Sequence, residues 1–271
     1  MWTRTGQWLA CAMLCASATS APIVSLTGDR TGTRHRADFD PTTQFFASRG
    51  YAVLQLNPRG SAGYGRRFRE AAFKNWDSAV QNDIVDAIET LVRTDGIDRN
   101  RVAIYGTGFG GYVALLALTT SPELFRCGIT YGGFADPQAI VHLRRIWTDS
   151  QTYRNMDVSR QRLVELLGSA SDSAAQARSP LAHLDRIRVP LFVAHGAADS
   201  EVPFSEGMKL AEALKMKGAD LSGYMPADED HEFRLEGNRA ELYRKLEAFL
   251  ARSMGHVAPA TKPSDSTTPT R

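Results

Sequence analysis

Residues 101–112, RVAIYGTGFGGY, decide the reading of this chain. Val102, Ala103, Ile104 and Tyr105 have the β-branched and aromatic character of a buried strand, and the apolar run from Tyr112 to Leu118 predicts a helix packed behind it. Between the two lies GTGFGG. A strand that enters a helix through so tight a turn is the setting of the nucleophile elbow, G-x-S-x-G, where a serine sits on strained backbone with its hydroxyl above the sheet. Gly106 and Gly110 hold the flanking glycine positions, and the centre is Gly108, which has no hydroxyl. A dinucleotide loop fits less well: its G-x-G-x-x-G spacing is off by one, and the next strand, residues 126–131, runs into YGG without the acidic residue such a site needs. Glycine at the centre of the elbow also relieves backbone strain of about 1–3 kcal/mol.

Outward from this unit the pattern alternates. Strands are predicted over 23–26, 51–56, 126–131, 190–195 and 221–225. Helices are predicted from a cap at Asp40 with Pro41 in the first turn to Gly50, from Ser78 to about Arg93, over 204–218 and over 238–254. This rhythm means an α/β fold with a mostly parallel sheet covered by helices on both faces, forming one domain over residues 22–254. Residues 136–179 read as a less regular insert, and residues 255–271 as a polar, disordered tail. The length suffices for a large core, and a net charge of +2 is too small to imply nucleic acid. Arg66, Arg67 and Arg69, like Arg144 and Arg145, read as solvated helix faces.

Residues 1–21 combine an early arginine, an apolar run from Trp8 to Ala18, and Ala16 and Ala18 in an Ala-x-Ala arrangement. These are the marks of a secretory leader, too short to span a bilayer, and they set a secreted or periplasmic location against a cytoplasmic one with an improvised N-terminus. Cys11 and Cys15 fall in this stretch, which leaves Cys127 on a core strand and neither a disulfide framework nor a metal site.

Several motifs in order carry a resemblance: FASRGYAVLQLNPRGSAGYG, NDIVDAIETLV, the elbow with GGY, SPELFRCGIT, SPLAHLDRIRVPLFVAHGAADSEVP, DEDHEF and NRAELYRKLEAFL. Together they resemble the catalytic domain of the prolyl oligopeptidase family of serine peptidases, particularly its acylaminoacyl-peptidase and dipeptidyl-peptidase branches. The resemblance implies an α/β-hydrolase fold, peptide or acyl-amino-acid substrates, no cofactor, and a Ser, Asp, His triad in that chain order. The family's acid, in G-x-x-D-x-x-V-P, falls on Asp199, and its histidine, in H-x-F, on His231. The chemical logic of such a pair is that a buried carboxylate fixes the imidazole tautomer and stabilises the imidazolium formed when it takes a proton. Without the resemblance, Asp199 reads as a turn residue and His231 as a surface histidine in an acidic run.

Three departures bear on activity. The family's serine aligns with Gly108, and Thr107, one residue earlier, should point its hydroxyl away from the histidine. The family's HGGP loop, which supplies an oxyanion donor, reads Thr27, Gly28, Asp29, Arg30, and a negative charge at Asp29 opposes an oxyanion. The amide of Phe109 remains as a donor. The resemblance also sets up the expectation that the family's β-propeller and the first edge strands of the sheet are missing. The expectation is a serine-peptidase homologue impaired in catalysis, set against a slow water-activated hydrolase using His231 and Asp199 and against a peptide-binding interaction module. Monomer and homo-oligomer are both open.

Overall fold

The computed structural model describes residues 13–15, 22–26, 34–141, 164–165, 167–168 and 173–255. Seven strands form one sheet: β1 (Met13–Cys15), β2 (Pro22–Leu26), β3 (Ala52–Leu56), β4 (Ala103–Thr107), β5 (Cys127–Tyr131), β6 (Leu191–Ala194) and β7 (Leu221–Tyr224). Their spatial order is β1-β3-β2-β4-β5-β6-β7. All pairings are parallel except that of β1, which runs antiparallel to β3 at the edge. The edge expected to lack strands thus carries one short strand, drawn from the stretch that reads as a leader.

The helices are α1 (Pro41–Ser48), α2 (Arg66–Glu70), α3 (Ala79–Asp95), α4 (Gly108–Thr120), α5 (Ser173–Ala177), α6 (Phe204–Met216) and α7 (Glu236–Met254). Asp40 caps α1 as expected, its carboxylate accepting from the Thr43 amide at 2.6 Å with Pro41 at the first position. Ser78 precedes α3 without any side-chain cap bond, and the helix ends on left-handed Gly96. Strands β3 to β6 are buried on both faces, so their sequences read as continuous apolar runs, as parallel strands covered twice must. One face packs Ile84, Ile88, Leu115, Leu116, Leu210 and Leu214 from α3, α4 and α6. The other packs Phe46, Leu242, Leu246, Phe249 and Leu250 from α1 and α7. Cys127 lies wholly buried in the second layer, its thiol pushed up to about 12 chiefly by desolvation.

Helix α4 begins four residues earlier than the apolar run suggests. GFGG forms its first turn rather than a loop, because close approach to β4 is available only to glycine there. A Cβ on Gly106 would stand 2.2 Å from the Gly110 carbonyl oxygen, and one on Gly111 would stand 2.6 Å from Thr130 Oγ1. Arg66, Arg67 and Arg69 are solvent-exposed, as expected. Arg144, Arg145, most of the 136–179 insert, the tail beyond Gly255 and all of residues 1–21 except β1 lie outside the described residues.

Sheet order places the site. The chain leaves β2 toward β3 on one side and returns to β4 on the other, so the strand order reverses between β2 and β4. Ligand crevices of open α/β sheets form at such reversals, beyond the carboxyl ends of the strands. Gly108 is the first residue past β4 there. The register aligns Thr107 with Tyr131, Tyr131 with Ala194 and Ala194 with Tyr224. Gly108, Gly132 and His195 therefore emerge at one level across three neighbouring strands.

Candidate active site

Gly108 has φ +50, the left-handed conformation in which an L side chain is strained and which a nucleophile elbow imposes on its central residue. The peptide turns from β4 into α4 at this residue, and the Phe109 amide follows in the first turn of the helix, where N–H groups are unpaired by the helix itself. The Phe109 ring faces the other way, into an aromatic cluster with Trp76 (4.6 Å between centroids), Tyr112 and Phe134. Gly28 and Asp29, the other expected oxyanion-hole residues, lie outside the described residues.

Asp199 and His231 meet. The imidazole Nδ1 stands 2.6 Å from Asp199 Oδ2, and both side chains are almost fully buried. Two loops bring them together. The first, from β6 to α6, places Asp199 in a turn whose backbone serves its own carboxylate: the amides of Glu201 and Val202 both donate to Oδ1 at 2.8 Å. The second, from β7 to α7, carries His231. The loops are zipped by backbone bonds from Ala197 N–H to the Pro226 carbonyl and from Ala198 N–H to the Glu229 carbonyl. Tyr131 steadies the second loop, its hydroxyl donating to the His231 carbonyl at 2.6 Å.

Burial alone would raise the Asp199 carboxyl, but hydrogen bonds from His195, His231 and the Val202 amide, with the charge of His231, hold it below the usual carboxylate range. The acid is thus kept ionised and aimed at Nδ1. That arrangement leaves Nε2 as the nitrogen able to take a proton from a group on the far side of the ring.

Three residues that support this pair escape sequence reasoning. Gly132, in the YGG after β5, has φ +54, and a Cβ there would lie 2.9 Å from His231 Cε1 and 3.0 Å from Nδ1. Nothing in the dipeptide GG signals that the ring lies against it. Gly132→Ala is expected to destabilise the fold by about 1–3 kcal/mol through backbone strain and to displace the imidazole from Asp199; urea unfolding and the His231 ring signals in NMR check both.

Glu229, in the acidic run DEDHEF that reads as solvent-facing, is 1 % exposed. Its Oε1 accepts from the amides of Arg234 at 2.7 Å and Asp230 at 3.2 Å, and its Oε2 accepts from Leu235 at 3.3 Å. The carboxylate ties the His231 loop across its base. Glu229→Gln is expected to cost about 1–3 kcal/mol, the value of hydrogen bonds to a buried charge, and to speed hydrogen exchange at the Arg234 and Leu235 amides. His195, wholly buried, is the third.

A separate cavity of ≈ 70 Å³ lies on the α1 and α7 side of the sheet, lined by Tyr105, Leu242, Tyr243 and Leu246 among others. It meets the His231 loop at Glu232 and Phe233 and includes neither Gly108, Asp199 nor His231 in its lining. Among the described residues no three His, Cys, Asp or Glu side chains group as metal ligands, and no described helix is long and apolar enough to cross a membrane.

Residues 37–257 match the prolyl oligopeptidase family. The chain belongs to that family. Dipeptidyl peptidase family member 6 of Caenorhabditis elegans is 31% identical to this prolyl oligopeptidase homologue over 222 residues, covering 82% of this chain and 30% of its own. Dipeptidyl aminopeptidase BIII of Pseudoxanthomonas mexicana is 29% identical over 235 residues, covering 86% and 33%. A puromycin-hydrolyzing peptidase of Mycobacterium tuberculosis superposes with a TM-score of 0.77 at 29% identity, covering 88% of this chain and 34% of its own. The chain spans about a third of the length of these relatives. It is a serine-peptidase homologue of α/β-hydrolase fold.

Proposed function

We propose that this chain is a prolyl-oligopeptidase-type hydrolase domain in which covalent acyl transfer is lost because Gly108 stands where the family's serine would. The observation that carries the reading is the pairing of an elbow-like turn, left-handed at Gly108, with a buried His231–Asp199 contact of 2.6 Å. The couple that would deprotonate a nucleophile is in place and the hydroxyl is not. The cleft above the strand ends retains affinity for peptides or acyl-amino acids, the substrate class that family membership supports.

Magnitude supports impairment over mere slowing. Loss of a serine of this kind lowers turnover about a million-fold, roughly 8 kcal/mol of transition-state stabilisation. What remains in such enzymes, on the order of a thousand-fold over water, comes from the oxyanion hole and binding. Stopped-flow mixing with chromogenic dipeptidyl and N-acyl-aminoacyl amides tests this: no burst of released chromophore is expected, and a burst with the amplitude of one site per chain would refute it.

The ionised Asp199 behind His231 favours one second reading, in which the imidazole takes a proton from water and hydrolysis proceeds without an acyl-enzyme. Slow hydrolysis abolished by His231→Ala, yet indifferent to serine-directed phosphonates, would establish that reading instead.

A further inference from the structure

We propose that His195 is a positioning residue, which holds the Asp199 carboxylate on the side opposite His231 and so sets the geometry of the proton-transfer couple. The inference rests on the reading of Asp199 and His231 as such a couple.

His195 is 0 % exposed. Its Nε2 lies 2.9 Å from the Val202 carbonyl oxygen and 3.3 Å from Asp199 Oδ2, the same oxygen that meets His231. Both neighbours are acceptors, so Nε2 carries the proton, bonded to the Val202 carbonyl and within ion-pair distance of Oδ2. Nδ1 is buried with no hydrogen-bond partner. The first turns of α6 press on the ring: Phe204 meets it edge-on at 6.0 Å, and a Cβ on Gly207 would lie 2.5 Å from Nδ1. Glycine inside a helix is unfavourable relative to alanine, as is a buried ring nitrogen left unsatisfied. The fold carries both penalties at one place, where the missing Cβ of Gly207 leaves room for the ring.

A clamp on the Val202 carbonyl alone would not need this arrangement, since the Val202 and Glu201 amides already close the turn on Asp199 Oδ1. What the imidazole adds is an N–H edge 3.3 Å from Oδ2. Oδ1 is held by two amides and Oδ2 stands between the two imidazoles, so both oxygens of the carboxylate are fixed from the protein side.

The test is proton NMR of the full chain labelled with 15N-histidine. The Nδ1–H of His231 is expected as a far-downfield resonance that Asp199→Asn abolishes. In His195→Phe that resonance is expected to move upfield or vanish while the far-ultraviolet circular dichroism stays that of the parent, and in His195→Gln, which keeps a donor near the Nε2 position, it is expected to return. An unmoved resonance in a folded His195→Phe overturns the role of His195 and leaves the couple standing. Absence of the resonance in the parent chain overturns the couple and this inference with it. If His195→Phe does not fold, the 15N shifts of the parent decide: His195 protonated on Nε2 supports the proposal, and protonation on Nδ1 overturns it.

Discussion

Gly108→Ser is expected to raise hydrolysis of dipeptidyl or N-acyl-aminoacyl amides about a thousand- to ten-thousand-fold over the parent chain. The figure follows from two opposing terms. A restored nucleophile beside a working imidazole is worth about a million-fold, and an oxyanion hole short of one donor forfeits about a hundred- to a thousand-fold. The second term enters on the reading that Thr27 to Arg30 stands where the family's HGGP would. The backbone needs no rearrangement, since Gly108 already has φ +50. The same conformation imposes a cost: a side chain at that angle is expected to lower stability by about 1–2 kcal/mol, read as a shift in the urea midpoint at constant slope. Gain of activity together with loss of stability is the signature of a restored elbow. A stable variant without activity would place a second lesion at residues 27–30.

Asp199→Asn is expected to destabilise the chain by about 3 kcal/mol or more, because it leaves buried donors facing a neutral amide where a charge stood. Oδ1 would still accept the two backbone amides, but an amide nitrogen would confront His231 Nδ1 and His195 Nε2, both of which donate in the parent. His231 would have to adopt the other tautomer, which removes the basicity of Nε2. The pH dependence fixes the assignment. The folded pKa of Asp199 lies below its ordinary value, so its contribution is complete above the unfolded value near ~3.9 and is lost as pH falls through the folded one. The gap in unfolding free energy between parent and Asp199→Asn is therefore expected to be constant near neutrality and to narrow as the acid is titrated below about pH 4. Urea titrations at a series of pH values measure it. A gap independent of pH down to acid unfolding would mean that Asp199 is not held ionised by its neighbours.

The sequence makes the parallel sheet legible because strands buried on both faces leave uninterrupted apolar runs, and because Asp40 and Gly50 punctuate the first helix between them. It makes Asp199 and His231 legible through motifs, but not their meeting. These residues are 32 apart in the chain, and they meet only because β7 lies beside β6 and two loops are zipped through the Ala198 amide. Burial patterns cannot mark Glu229, since a carboxylate among DEDHEF has the composition of a solvated loop and becomes an internal staple only when the chain folds back on it. Gly132 and Gly207 are silent for the opposite reason. A glycine records that something must come close without recording what, and here the neighbours are the two imidazoles at 231 and 195. The early start of α4 is hidden in the same way, because GFGG has poor helix propensity and is helical only through its packing on β4 and β5.

The central claim is a proton-transfer couple with no attacking oxygen of its own, and intact-protein mass spectrometry after exposure to a fluorophosphonate tests it most directly. The parent chain is expected to gain no mass, and Gly108→Ser is expected to gain one adduct, mapped to position 108 and lost when His231→Ala is added. A single stoichiometric adduct on the parent chain, dependent on His231, would reveal a nucleophile elsewhere in the cleft and contradict the account.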